Sequence, residues 1–362
     1  LSKEILVVQI GVGGVGSTLA RQLMEQQATL EQRYSFKLGY LALVEQSGAI
    51  STGQMLDSDT VASVVAARRE RRDLSTLPGA HPPGDWRPFL PEQPCIVADM
   101  TAADGMDAGL VAAVEAGHRV VLANKRPVSG SLEGYRALTG HGKTRYEVTV
   151  GAGLPVIDTL QRLLDSGDTL ISIEAAMSGT LGYLCSALED GQPLSDALRV
   201  ARNNGWTEPD PRDDLSGADV ARKTLILARV CGLPWTMNDV PAEPWFSPEL
   251  ARVSVEEFME RASELDAMYA ERVAAARSRN AALRYVATVE PGGARVGLRE
   301  LPLDHPLATL RGTDNMVVFT TARYNDPVPR MVVRGPGAGL EVTAAGVLGD
   351  IVATARELAC YG

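Results

Sequence analysis

The chain has 362 residues, 45% hydrophobic and 22% charged, a balance that supports buried cores and about two domains. Its net charge of -10 argues against a nucleic-acid partner, which needs a basic face. The one basic run, Arg68, Arg69, Arg71 and Arg72, is interrupted by Glu70, closed by Asp73 and reads as a solvated helix face.

No apolar run is long enough to span a bilayer and no secretory signal is visible. The chain opens on Leu1 rather than Met, which leaves room for a trimmed leader. Cys95, Cys185, Cys231 and Cys360 are far apart, so no paired-cysteine metal or redox motif exists, and mostly buried thiols in a reducing cytoplasm are expected.

In chain order, residues 5–10 form a short apolar strand that ends in a glycine-rich turn. Leu19, Leu23 and Met24 continue at helical spacing. Further strands are predicted over 38–44, 95–99 and 119–123, with a helix over 110–116. Strands alternating with helices predict a doubly wound parallel sheet with helices on both faces. Residues 146–150 read as another β-like run. After the break at 151–155, helices are expected over 156–164, 180–188, 194–203 and 219–230, a long amphipathic helix over 256–278, and strands over 169–176, 283–289, 295–298 and 317–321. The Pro- and Trp-rich stretch 233–248 reads as an ordered surface loop. The expected organisation is a dinucleotide-binding domain over 1–150, a substrate-binding and dimerisation domain over 151–335, and a closing helix over 336–362 that packs back on the first.

Gly11, Val12, Gly13, Gly14, Val15 and Gly16 form G-x-G-x-x-G between a strand and a helix. Gly11 permits the tight turn, Gly13 lets the backbone approach a pyrophosphate, and Gly16 lets helix and strand pack closely. That context favours a Rossmann site over a structural turn. Glu45 closes the second strand, where an acid can hold the ribose 2′-hydroxyl; an exposed loop carboxylate is the alternative. An acid there argues for NAD over NADP, although Lys125 and Arg126 offer positive charge.

The segment 205–223 packs five carboxylates, Glu208, Asp210, Asp213, Asp214 and Asp219, into a proline-stiffened loop leading into a helix. Asp219 and Lys223 are four apart and share a face. A substrate amine needs carboxylate partners, and a carbonyl receiving hydride needs a proton donor, which a lysine beside carboxylates can be. A surface ion pair after an acidic loop is the plainer reading.

Residues 205–223 resemble the homoserine dehydrogenase signature G-[aromatic]-T-E-P-D-P-x-x-D-L-x-G-x-D-x-x-x-K, with Trp206 where Tyr is frequent. Ala123-Asn124-Lys125, Ser178-Gly179-Thr180, the segment 147–155 and the tail 342–350 are similar to other segments of that family. The likeness is closest to its short, monofunctional fungal-type members. It implies an α/β fold of a Rossmann domain with a second α+β domain, a homodimer, and NAD(P)H-dependent interconversion of L-aspartate 4-semialdehyde and L-homoserine in threonine, methionine and isoleucine biosynthesis. By that resemblance Lys223 exchanges the proton and Asp219 orients it. Glu208 and Asp214 hold substrate, Gly179 and Thr180 offer it hydrogen bonds, Asn124 belongs to the cofactor site, and Lys125 lies between cofactor and substrate. It also implies a structural monovalent cation, expected to be sodium, on the carbonyls of Glu147, Val150, Ala152 and Leu154.

Overall fold

The computed structural model describes residues 2–361, and the chain divides into two compact units, Leu1–Gly153 with Ala338–Gly362, and Leu154–Gly337.

The first unit is built on a seven-stranded sheet: β1 (Lys3–Ile10), β2 (Phe36–Glu45), β3 (Gly48–Ser51), β4 (Ala80–His81), β5 (Ile96–Asp99), β6 (Arg119–Leu122) and β7 (Thr144–Arg145), in the order β4-β3-β2-β1-β5-β6-β7. From β2 through β7 neighbouring strands are parallel, whereas β3 and β4 add antiparallel to the β2 edge. Val7, Val8, Leu38, Leu43, Ile96 and Val97 are fully buried, as in a parallel sheet covered on both faces. The helix Gly14–Tyr34 contributes Leu19, Ala20 and Leu23 to this core. The closing helix Leu340–Tyr361 adds Ala344, Val347, Ile351, Ala355 and Leu358, spaced three or four apart along one stripe. Strand order reverses direction at β1, between β2 and β5. Open α/β sheets place ligands at such a point, beyond the carboxyl ends of the strands.

The second unit carries a five-stranded antiparallel sheet, β8 (Leu170–Ala176), β9 (Ala281–Glu290), β10 (Gly293–Pro302), β11 (Asp314–Thr321) and β12 (Met331–Pro336), ordered β10-β9-β8-β11-β12. The helices Val156–Asp165, Gly179–Glu189, Leu194–Asn203 and Ala218–Val230 lie within two residues of their sequence-predicted bounds.

Four local expectations are corrected. Residues 146–150 are not a strand: Thr149 donates to the Tyr146 carbonyl (2.6 Å) and the Glu147 N–H to Asp350 (3.0 Å), and the chain makes a helical turn, Val148–Gly151. The predicted helix over 256–278 is two helices, Val255–Arg261 and Asp266–Ser278, joined by a 3-10 turn. The break sets the Asp266 carboxylate against the N–H and hydroxyl of Ser195 (both 2.8 Å), where it satisfies the start of the helix Leu194–Asn203. The stretch 233–248 is not wholly a surface loop, because Trp245 is buried and stacks on Tyr269 at 5.0 Å. The basic run is not all solvated either: Arg68 turns inward from the helix Ser58–Arg69, which sequence periodicity had not assigned.

Ile351 is fully buried in the closing helix, so Ile351→Ala leaves a cavity worth about 2–5 kcal/mol. A lowered denaturant midpoint checks this; an unchanged midpoint would mean that the helix does not complete the first core.

Candidate functional site

One group of candidate residues lies along the carboxyl edge of the first sheet. The turn after β1 starts at Gly11, whose φ of +93° favours glycine, and its N–H donates to Val44 on β2 (2.8 Å). A methyl group on Gly16 would collide with the Gly11 carbonyl, whereas one on Gly13 would meet only open space. No side chain caps the following helix at Gly13. This is a cradle of backbone amides open to a ligand, and it fits a dinucleotide pyrophosphate. Beneath it the buried Gln9 amide donates to the carbonyls of Gly11 and Gly16, both at 3.0 Å.

Glu45 ends β2 and its carboxylate turns back to the glycine turn. One oxygen accepts the Val12 N–H (3.0 Å) and the other the Gln46 N–H (3.1 Å). Arg68 stands 3.7 Å from the first oxygen. After β5, buried Asp99 accepts from the N–H (2.9 Å) and hydroxyl (2.7 Å) of Thr101 and from the Asn124 amide (3.0 Å). Burial pushes the Asp99 carboxyl above its ordinary range, and the bonds from Thr101 and Asn124 oppose that shift. The Asn124 amide also donates to the Ala103 carbonyl (3.0 Å), and its oxygen accepts the Arg126 N–H (3.1 Å). The Asn124 side chain therefore ties the turns after β5 and β6 together and presents half-buried Lys125 at the head of the short helix Arg126–Ser129.

A second group is built within the other unit. Lys223, one turn into the helix Ala218–Val230, is 9% exposed; its ammonium donates to the Met177 carbonyl (2.7 Å) and pairs with Asp219 at 2.9 Å. Met177 follows β8 and precedes the helix Gly179–Glu189, whose Ser178 cap accepts the Leu181 N–H. One cation thus locks a strand end to a helix start. Asp214 accepts the Glu208 N–H at 2.8 Å, while the buried Thr180 hydroxyl donates to the Trp206 carbonyl at 2.6 Å. The Asp214 carboxyl sits above its ordinary range, first through burial and then through the charges of Glu208 and Asp219, against the bond from the Glu208 N–H. These carboxylates repel one another, and a bound ammonium group relieves that repulsion.

The loop holding them is fixed. Arg212 pairs with Asp210 and donates to the Val253 carbonyl (2.6 Å). A methyl group on Gly217, at φ +71°, would strike the Tyr285 hydroxyl. Exposed Trp206 meets Tyr183 edge-on at 4.9 Å.

The structure thus groups Gly11–Gly16, Glu45, Asn124 and Lys125 on one sheet edge, and Glu208, Asp214, Thr180, Asp219 and Lys223 in the second unit. Sequence reasoning missed the Met177 carbonyl, the Asp99 tie and Arg68. For Arg68 a signal existed: Val61, Val64, Val65 and Arg68 recur at i, i+3, i+4 and i+7, one helical face. In the segment 147–154 the predicted cation ligands include Ala152, whose φ of +53° is rare for a residue with a side chain.

The homoserine dehydrogenase family model matches residues 155–352. A homoserine dehydrogenase from Saccharomyces cerevisiae is 34% identical, with 99% of each chain covered. A bifunctional aspartokinase/homoserine dehydrogenase from Zea mays is 36% identical over 99% of this chain; the chain spans 39% of that longer relative. Among solved structures, a hyperthermophilic archaeal homoserine dehydrogenase in complex with NADPH aligns with a TM-score of 0.73 at 25% identity, covering 98% of both chains. With more than half of the chain matched by the family model and a full-length relative above 30% identity, this chain belongs to the homoserine dehydrogenase family.

Proposed function

We propose that this protein catalyses the NAD(P)H-dependent interconversion of L-aspartate 4-semialdehyde and L-homoserine. The observation that carries this reading is the Lys223 ammonium, 9% exposed and fixed by Met177 and by Asp219, a carboxylate whose charge also acts on Asp214. The family membership and the NADPH bound to an archaeal relative support it.

When bound, the nicotinamide supplies the hydride. Glu208 and Asp214 take the substrate amine and hydroxyl, where their mutual repulsion favours a cationic ligand. Lys223 gives a proton to the carbonyl oxygen as negative charge develops there, and in the oxidative direction neutral Lys223 takes the hydroxyl proton. Asp219 keeps the ammonium aimed. Gly179 and Thr180 offer the substrate hydrogen bonds at the helix start. Lys125, set by the Asn124–Asp99 tie, adds positive charge toward the developing alkoxide. The glycine turn holds the pyrophosphate and Glu45 the ribose.

A monovalent cation, sodium by the family resemblance, is assigned a structural role on the carbonyls of Glu147, Val150, Ala152 and Leu154; the positive φ of Ala152 supports an unusual carbonyl direction there. The protein is read as a homodimer using the second sheet. On its edge strand Met331–Pro336 burial alternates and Val332 is 40% exposed.

Lys223→Ala is expected to lower turnover by about 10²–10⁴-fold while NAD(P)H still binds, since the residue lies outside the glycine-turn unit. Steady-state rates and cofactor binding measured together check this. Turnover near wild type would remove Lys223 as the proton donor, and cofactor binding without turnover in the wild type would favour a protein that senses the dinucleotide without catalysis.

Because the Asp214 carboxyl is held above its ordinary range, its relief by protonation is fully present at low pH and is lost as pH rises through the raised value. At neutral pH Asp214→Asn should therefore raise the thermal midpoint of the free protein and weaken homoserine binding. A lowered midpoint with binding retained would contradict both the strain and the role.

A further inference from the structure

Gln9 is the penultimate residue of β1, fully buried, with a strand paired on either side of it. The carbonyl oxygens of Gly11 and Gly16 each lie 3.0 Å from its Nε2. Two acceptors at that distance call for the NH2 end of the amide, so both of its hydrogens are used. The other end is left over: Gln9 Oε1 is buried and has no partner among the described residues. A buried acceptor without a donor costs stability, which an apolar side chain of the same length would avoid. A polar side chain that breaks the rule of the core in this way points to a task in the turn above it.

The peptide planes of the turn show that task. The plane between Gly11 and Val12 is held at both ends: its carbonyl accepts from Gln9, and its N–H donates to Glu45 (3.0 Å). The next two carbonyls are also taken from within the chain. Val12 accepts the Ser17 hydroxyl and Gly13 the Ser17 N–H, both at 2.8 Å. Planes tied in this way cannot flip an oxygen toward the ligand, where it would repel a pyrophosphate. The same Gln9 amide sets the spacing of Gly11 and Gly16, and Gly16 has no room for a side chain against it. Resting on the dinucleotide reading above, we propose that Gln9, helped by Ser17, is a positioning residue for the cofactor. Buried as it is, Gln9 meets no ligand itself. It holds the Gly11 and Gly16 carbonyls away from the pyrophosphate and so aims the N–H groups of the turn at it. NADH and NADPH share the pyrophosphate, so the effect is the same for both. An amide that merely filled the core would act on stability and leave cofactor affinity alone.

The test is equilibrium binding of NADH and NADPH to the full chain, read by nucleotide fluorescence, together with steady-state homoserine oxidation, for wild type, Gln9→Met, Gln9→Leu and Ser17→Ala. The two Gln9 variants remove the donor and nearly keep the volume. In each, the Kd of both cofactors should rise about tenfold with their ratio unchanged. The cofactor KM should rise by a similar factor, while kcat and the homoserine KM stay within about twofold of wild type. Ser17→Ala should raise both Kd values by about threefold, and it keeps the proposal testable if neither Gln9 variant folds. Three results overturn the proposal and leave the dehydrogenase reading standing. They are unchanged cofactor Kd values in a folded Gln9 variant, or in Ser17→Ala if neither folds; a change confined to one cofactor; and a loss in kcat or homoserine KM as large as that in cofactor affinity. Failure of wild type to bind either cofactor overturns both.

Discussion

The second unit is organised around an ammonium group that has left water. Lys223 is 9% exposed, and a buried cation is tolerated only when paired and hydrogen-bonded. Met177 supplies a carbonyl and Asp219 a carboxylate, and each brings a different element to the same point. The carbonyl comes from the end of β8, the carboxylate from the first turn of the helix Ala218–Val230. A charge placed this way keeps its direction, because moving it strands a buried ion. Such a fixed charge can stabilise a developing alkoxide without reorganising during the reaction.

The surrounding carboxylates carry the opposite tension. Asp214 is disfavoured as an anion by burial and by Glu208 and Asp219. Stability is spent on holding negative charge where a cationic substrate group would repay it, a familiar cost at ligand sites. The stiff loop keeps these groups from relaxing apart: Arg212 stitches it to the Val253 carbonyl, and Gly217 lets it lie against Tyr285. The first unit uses the same economy. Gln9 buttresses the glycine turn from below, and Asn124 spends its whole amide on joining two turns.

Features written in local spacing were legible in the sequence. The strand–glycine turn–helix at residues 5–24, the helices of the second unit and the ion pair between Asp219 and Lys223 all follow from periodicity or an i, i+4 offset. Features that depend on distant partners were not. The helical turn at 148–151 depends on Asp350, some two hundred residues away, and the break before Asp266 depends on Ser195. The Met177 contact uses a backbone carbonyl, which carries no residue signature. Arg68 was missed for a different reason: its charge run suggested solvent, although the valines before it placed it on the buried face.

A crystal structure of the protein with homoserine and oxidised cofactor tests most directly where the proton goes. Lys223 Nζ is expected within about 3 Å of the homoserine hydroxyl oxygen, with the amino group on Glu208 or Asp214. A complex in which that hydroxyl contacts other groups, while Lys223 stays on Met177 and Asp219 alone, would contradict it.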